Sequence, residues 1–262
     1  MEYIIIGLVS LFVSGLTFFS GFGLGTLLMP VFAIFSPIEI AIDATAIVHL
    51  ANNIFKVILV GKNANKIVTL KFAIPAIAFA FLGAWLLIVF SHIPPLIEYS
   101  IFGKYSKVTP IKAIIALLLI IFSLIEILPF LTKLQLDKKY IPFGGALSGF
   151  FGGLSSHQGA LRTAFLIKAG LEKQSLIGTM VVSAVLVDVA RLSIYGITFL
   201  DSDFSLTART DLLLLVIIGC LSAFIGSYFG KFLFEKVTYK SIQLTVEISL
   251  LIFAVALGSG II

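Results

Sequence analysis

Gly149-Phe-Phe-Gly-Gly-Leu-Ser-Ser-His-Gln-Gly159 interrupts an apolar run, and about half a chain earlier Gly21-Phe-Gly-Leu-Gly25 interrupts another, between Ile4 and Phe35. In hydrocarbon a helix satisfies its own backbone, so a glycine-rich break frees amide and carbonyl groups that only protein, water or a bound solute can pair. Breaks at corresponding places in two halves of a membrane chain point to a transport site.

The rest of the chain supports a membrane reading. Of its 262 residues 60% are hydrophobic and 12% charged, with a mean hydropathy of +1.16, whereas soluble domains carry about 25% charged residues. Runs long enough to span, at about 20 apolar residues each, cover Ala41 to Val60, Phe72 to Phe90, Ile111 to Leu128, Leu176 to Tyr195, Leu212 to Phe234 and Ile242 to Ile262. Met1-Glu2-Tyr3 has neither the basic start nor the cleavage site of a signal peptide, so the first segment is expected in the mature protein. Cys220 has no second cysteine to pair with. The net charge of +5 lies mainly on lysines in connections; it reports topology and gives no reason to expect nucleic acid.

Shifting the chain by about 134 residues places Ser14-Gly15 on Ser148-Gly149, Gly25 on Gly159 and Thr45 on Thr179, and one residue further places Lys56 on Arg191. Two membrane repeats are therefore expected, residues 1–132 and 133–262, forming one integrated transmembrane domain. If all eight hydrophobic segments cross, the connecting Lys and Arg residues divide eight to seven. If the two glycine-broken segments are re-entrant, they divide eleven to four, the asymmetry expected between cytoplasmic and outer loops. That count favours an all-α polytopic membrane protein with two inverted repeats, each a broken re-entrant helix pair plus three full transmembrane helices. Both termini are then expected outside.

Ser36-Pro37-Ile38-Glu39 reads as a capped helix start. Asp43, in the following second turn, is either a dipole-favoured or cavity-facing carboxylate or a proton carrier. Gly226 and Gly230 have the spacing that lets two membrane helices approach closely.

Charged groups in hydrocarbon cost at least about 2.5 kcal/mol each, so each needs a partner, water or a role. Thr45, His49, Asn52 and Lys56 fall on one helical face, flanked by Asn53; Lys56 either lines a cavity or extends to the interface. Asp188 and Arg191, three apart, form either an architectural ion pair or part of a site. At the second break, Ser155, Ser156, His157, Gln158, Gly159 and Arg162 gather donors at the start of a half-helix, where backbone amides also favour an anion. Arg162 is the side chain best suited to grip an oxyanion. The first break offers Gly21, Gly23, Gly25 and Thr26, so backbone amides would do the holding there. No nucleophile setting or metal-ligand spacing appears, so neither an enzyme nor a cofactor is expected.

Ser14-Gly15, Gly21-Phe-Gly-Leu-Gly25 and Pro30, together with Gly152-Gly-Leu-Ser-Ser-His-Gln-Gly-Ala-Leu-Arg162, resemble the TauE/SafE family of sulfite exporters and related permeases, over essentially the whole chain. The resemblance implies a secondary transporter of small anions such as sulfite or sulfonates in a prokaryotic inner membrane. An anion channel, or a membrane enzyme or maturation factor acting on sulfur or lipid substrates, are the alternatives. The expected partners are the small anion and the bilayer, with a homodimer compatible. The expected contacts are Gly21, Gly23, Gly25, Thr26, His49, Asn52, Lys56, Ser156, His157, Gln158, Gly159, Arg162 and Arg191, with Asp43 and Asp188 as candidates for proton coupling.

Overall fold

The computed structural model describes residues 1–18, 24–101, 104–127, 137–201, 206–233 and 239–261. Its elements run α1 (Glu2–Leu16), α2 (Leu24–Phe35), α3 (Ile38–Val60), α4 (Lys66–Ser91), β1 (Ile97–Ile101), β2 (Lys104–Val108), α5 (Pro110–Ile127), α6 (Ile141–Ser155), α7 (Gly159–Leu166), α8 (Lys173–Asp201), α9 (Leu206–Leu233) and α10 (Tyr239–Gly258). The described part of each of the six long apolar runs is mostly helical, and among the described residues four helical stretches are long and apolar enough to cross a membrane: Ile38–Asn63, Lys66–Ser91, Lys173–Gly196 and Asp211–Phe232. Large apolar side chains such as Ile4, Phe12, Ile74, Phe81, Trp85, Leu221 and Phe229 stand exposed around them. So much outward apolar surface fits lipid and not water. The molecule is a multi-pass membrane protein.

The order of elements repeats. A 15-residue α1 followed by α2 and the long α3 corresponds to a 15-residue α6 followed by α7 and the long α8. The chain forms two compact units, Met1–Trp85 with Gln135–Val237, and Leu86–Leu134 with Thr238–Ile262. Each unit therefore draws on chain from both sides of residue 133.

In the first unit α1 lies along α9, α2 packs on α3, α7 on α8, and α3 against α8. The first arm of each break is seated through glycine. Gly226 and Gly230 of α9 face the Leu11 and Gly15 carbonyls of α1, as their spacing predicts, and Ser14 Oγ donates across the seam to the Ala223 carbonyl at 2.8 Å. On the other side Gly145, Gly149 and Gly153 of α6 face the Phe72, Ala76 and Ala80 carbonyls of α4. Without side chains at these positions the backbones come close enough for dispersion to hold helices that lipid gives no reason to associate.

This contact reverses the usual effect of adding a methyl group to a helical glycine. A Cβ on Gly149 would collide with the Ala76 carbonyl, whereas a Cβ on Gly196 of α8 would meet nothing within 4 Å. Gly149→Ala is expected to lower stability by about 1–3 kcal/mol, and Gly196→Ala to raise it by up to about 1 kcal/mol. Melting curves in detergent check the pair; equal shifts would rule out the seam.

The second unit holds α5, packed on α10, and an antiparallel hairpin with Ile97 opposite Val108 and Tyr99 opposite Ser106. The hairpin departs from the expectation of an all-α chain. Ile97-Glu-Tyr-Ser-Ile101 and Lys104-Tyr-Ser-Lys-Val108 are too polar for a span, and the first alternates in the period-two sense of strands. Tyr105 Oη donates to Glu98, whose carboxyl is held below the usual carboxylate range by that bond first and by Lys107 after it. The Tyr99 hydroxyl donates to the Ser259 carbonyl.

One helix start also differs. The capping position of α3 is Pro37, with φ −50° and ψ 149°, and no side chain caps the helix. Because Pro37 is still extended, the Ser36 hydroxyl stands a residue too early to reach the first free amides.

Candidate functional site

The polar face of α3 is buried as its spacing predicts: Thr45 and Asn52 are fully enclosed, His49 is 6% exposed and Lys56 5%. Lys56 does not extend to the surface; its Nζ sits 5.4 Å from the centre of the Phe18 ring, just beyond the end of α1. Ser227 of α9 donates to Asn52 Oδ1 at 2.7 Å and fixes that amide.

Opposite this face, the second break is a real interruption. The helix α6 ends at Ser155, Ser156 takes the left-handed conformation at φ 66°, and α7 resumes at Gly159. Ser156 is the one non-glycine residue with positive φ among the described residues, a conformation that costs an L-residue about 1–2 kcal/mol. The surrounding side chains hold it there. Arg191 Nη1 donates to the Gly152 carbonyl at 3.2 Å and to Ser156 Oγ. The Tyr195 hydroxyl donates to the Gly153 carbonyl, and Ser148 Oγ to the Gln158 carbonyl at 2.8 Å. The Gly153 carbonyl is thus paired from α8, while the Gly152 and Gln158 carbonyls, which already accept from the Ser156 and Arg162 amides, each gain a second donor.

Asp188, fully buried, is the hub that joins the two halves. Its Oδ1 accepts from Gln158 Nε2 at 2.7 Å and Arg191 Nε at 3.0 Å, with Arg191 Nη2 at 2.7 Å. Its Oδ2 accepts from Asn53 Nδ2 at 3.0 Å and His49 Nδ1 at 2.7 Å. An ionised carboxylate is acceptor only, so the proton on His49 lies on Nδ1 in this arrangement. The His49 partnership spans 139 residues of sequence.

Between α3 and the start of α7 lies a cavity lined by Thr17, Phe18, Leu24, His49, Asn52, Asn53, Lys56, Arg162 and Val181. It encloses about 310 Å³ of empty space including its open mouth, but its interior has room for about one water. Arg162 is 2% exposed. Two cationic side chains, Lys56 and Arg162, therefore line one small chamber, and no carboxylate is among its described lining residues.

The residues expected at a site separate into groups. His49, Asn52, Lys56 and Arg162 line the cavity. Ser156, Gln158, Arg191 and Asp188 form the bonded layer beside it. His157 is buried with Nδ1 directed to the Ser155 carbonyl at 2.5 Å, and its Nε2 has no hydrogen-bond partner among the described residues. Gly159 is buried at the start of α7, and Gly25 of α2 lies against the Ser156 carbonyl and the His49 ring. The second arm of the first break therefore touches the second break. Thr26 and Asp43 are half-buried and are not among the lining residues. Gly21 and Gly23 lie outside the described residues.

Backbone donors also differ from expectation at the second break. Gly153 to Ser155 belong to the last turn of α6, and the Ser156 amide bonds to the Gly152 carbonyl at 3.1 Å. Phe18, Thr17, Leu24 and Val181 complete the cavity without having stood out in the sequence. Apolar residues in a chain this hydrophobic carry no mark of their position.

No curated protein and no solved structure matches the chain. The family model described as sulfite exporter TauE/SafE matches residues 3–257. That span takes in both breaks, the polar face of α3 and the Asp188 hub, and the chain belongs to the TauE/SafE family, a family of membrane transporters.

Proposed function

We propose that this protein is a secondary transporter of a small oxyanion, sulfite or a short sulfonate, across a prokaryotic cell membrane, and that the anion binds in the cavity between Lys56 and Arg162. The observation that carries the reading is the pairing of two buried cationic side chains in one chamber, with no carboxylate among its described lining residues. Inside a low-dielectric medium such a chamber is a trap for negative charge. His49, Asn52 and Asn53 add polar contacts, and the chamber's size favours an anion of few atoms.

Arg191 has a supporting role in this reading. Its guanidinium is committed to Asp188, Ser156 and the Gly152 carbonyl, so it shapes the break beside the cavity. The repeated element order, with α1 seated on α9 and α6 on α4, supports two inverted repeats whose broken pairs meet at the site. Re-entrant broken pairs and outward termini belong to the same reading, which the uneven distribution of lysines supports.

A ligand that binds only the folded protein raises its apparent stability, by about 2.7 kcal/mol at a hundredfold excess over Kd. Sulfite, sulfate, thiosulfate and short sulfonates, screened by thermal shift on the detergent-solubilised protein, are expected to include at least one that raises the melting temperature saturably. The same anion should show counterflow in proteoliposomes. Absence of both stabilisation and flux with every one of these anions would refute the proposal.

A further inference from the structure

We propose that His49 is the proton carrier of this transporter, its imidazole taking up one proton at Nε2 as the anion enters the cavity. The inference rests on reading the cavity as the anion site. His49 is the one described residue that both lines the cavity and contacts the buried Asp188 carboxylate through a ring nitrogen.

The geometry assigns different work to the two nitrogens. Nδ1 is held by Asp188 Oδ2 at 2.7 Å, which fixes ring and tautomer and leaves Nε2 as the basic atom. Protonation there forms one N–H bond and creates an imidazolium between the Asp188 carboxylate and whatever anion the cavity holds. The proton comes from water on the loading side and returns to water on release; the chamber has room for the one water that delivery needs.

The charges facing His49 set the sign of the coupling. From α8 come Asp188 and Arg191, and from α7 comes Arg162. The helix α2 brings Gly25 against the ring, and α9 brings the uncharged Ser227 against neighbouring Asn52. On α3 itself stand Lys56 and, toward the N-terminus, Asp43. In an empty cavity Lys56 and Arg162 repel a further positive charge, and a bound anion offsets that repulsion. Anion binding and protonation therefore favour each other, and by linkage each raises the other's affinity equally.

Asp188 is poorly placed for the same task. Both its oxygens are occupied by donors from two helices, α3 and α8, and from the break, so protonating it would unpair Arg191. His157 has a free Nε2 but is not among the residues lining the cavity.

The test measures anion affinity by thermal shift or calorimetry between about pH 5.5 and about pH 8, the range in which histidine titrates. Sulfate, thiosulfate and methanesulfonate are the probes, because each keeps one ionic form across that range. The wild type is expected to bind more tightly as pH falls, by up to about tenfold per pH unit. His49→Gln, which keeps a donor toward Asp188 but cannot titrate, is expected to show a flat profile. In wild-type proteoliposomes carrying an entrapped pH dye, anion entry should acidify the lumen, a readout that needs no variant. Anion binding that is pH-independent in the wild type, or equally pH-dependent in His49→Gln, overturns proton carriage by His49 while leaving the anion site standing. Absence of binding by every anion at every pH overturns the site itself, and this inference with it.

Discussion

Asp188→Ala is expected to remove about 3–5 kcal/mol of stability, the usual cost of deleting one member of a buried ion pair. Five donor atoms from four buried residues converge on this carboxylate. Without it the Arg191 guanidinium is left charged and uncompensated inside the bundle, and Gln158 and Asn53 lose their acceptor. The second break should loosen as a consequence, because Arg191 is also what pairs the Gly152 carbonyl and Ser156. Melting temperature and the monodisperse fraction in detergent measure the loss. Adding Arg191→Leu to Asp188→Ala should recover part of the stability, since the unpaired charge disappears with it. A non-additive cycle of that kind is the signature of direct coupling. A single Asp188→Ala variant as stable as the wild type would refute the hub.

Arg162→Ala is expected to weaken anion binding by about 30-fold or more, the equivalent of losing about 2 kcal/mol from a buried charged contact, and to abolish measurable transport. The fold should survive, because α7 is anchored by Phe165 and Leu166 in the apolar cluster with Phe72, Ala76 and Met180. Arg162→Lys tests what the side chain supplies: charge is kept, but the planar two-pronged donor is lost, so partial binding is expected. Lys56→Met should reduce affinity in the same direction from the opposite wall of the chamber. Undiminished flux by a folded, inserted Arg162→Ala protein in proteoliposomes would refute the role given to this residue.

These two arginines show how far a sequence can be read. Arg162 and Arg191 both appear as intramembrane cations near polar partners, and local spacing alone places each beside a potential anion. Only the folded chain distinguishes them, because Arg191 meets Asp188, Ser156 and the Gly152 carbonyl, whereas Arg162 lines the cavity. The difference depends on contacts between elements tens of residues apart. Likewise the glycines at 145, 149 and 153 carry the same four-residue spacing as Gly226 and Gly230, yet nothing local says which helix they face. The neighbour is α4, chosen by where the chain returns in space.

What the sequence by itself determined is what short-range physics dictates: the six long apolar runs, a break within Gly149 to Gly159, and the polar face of α3 from Thr45 to Lys56. Hydrocarbon punishes exposed backbone and stray charge at each position separately, so these features are written in composition and period. The tertiary structure alone decided that His49 would meet a carboxylate 139 residues away, that Gly25 would touch the second break, and that Lys56 and Arg162 would share one chamber. The reason is that pairing between distant segments is set by close packing of whole helices, which no stretch of sequence encodes on its own.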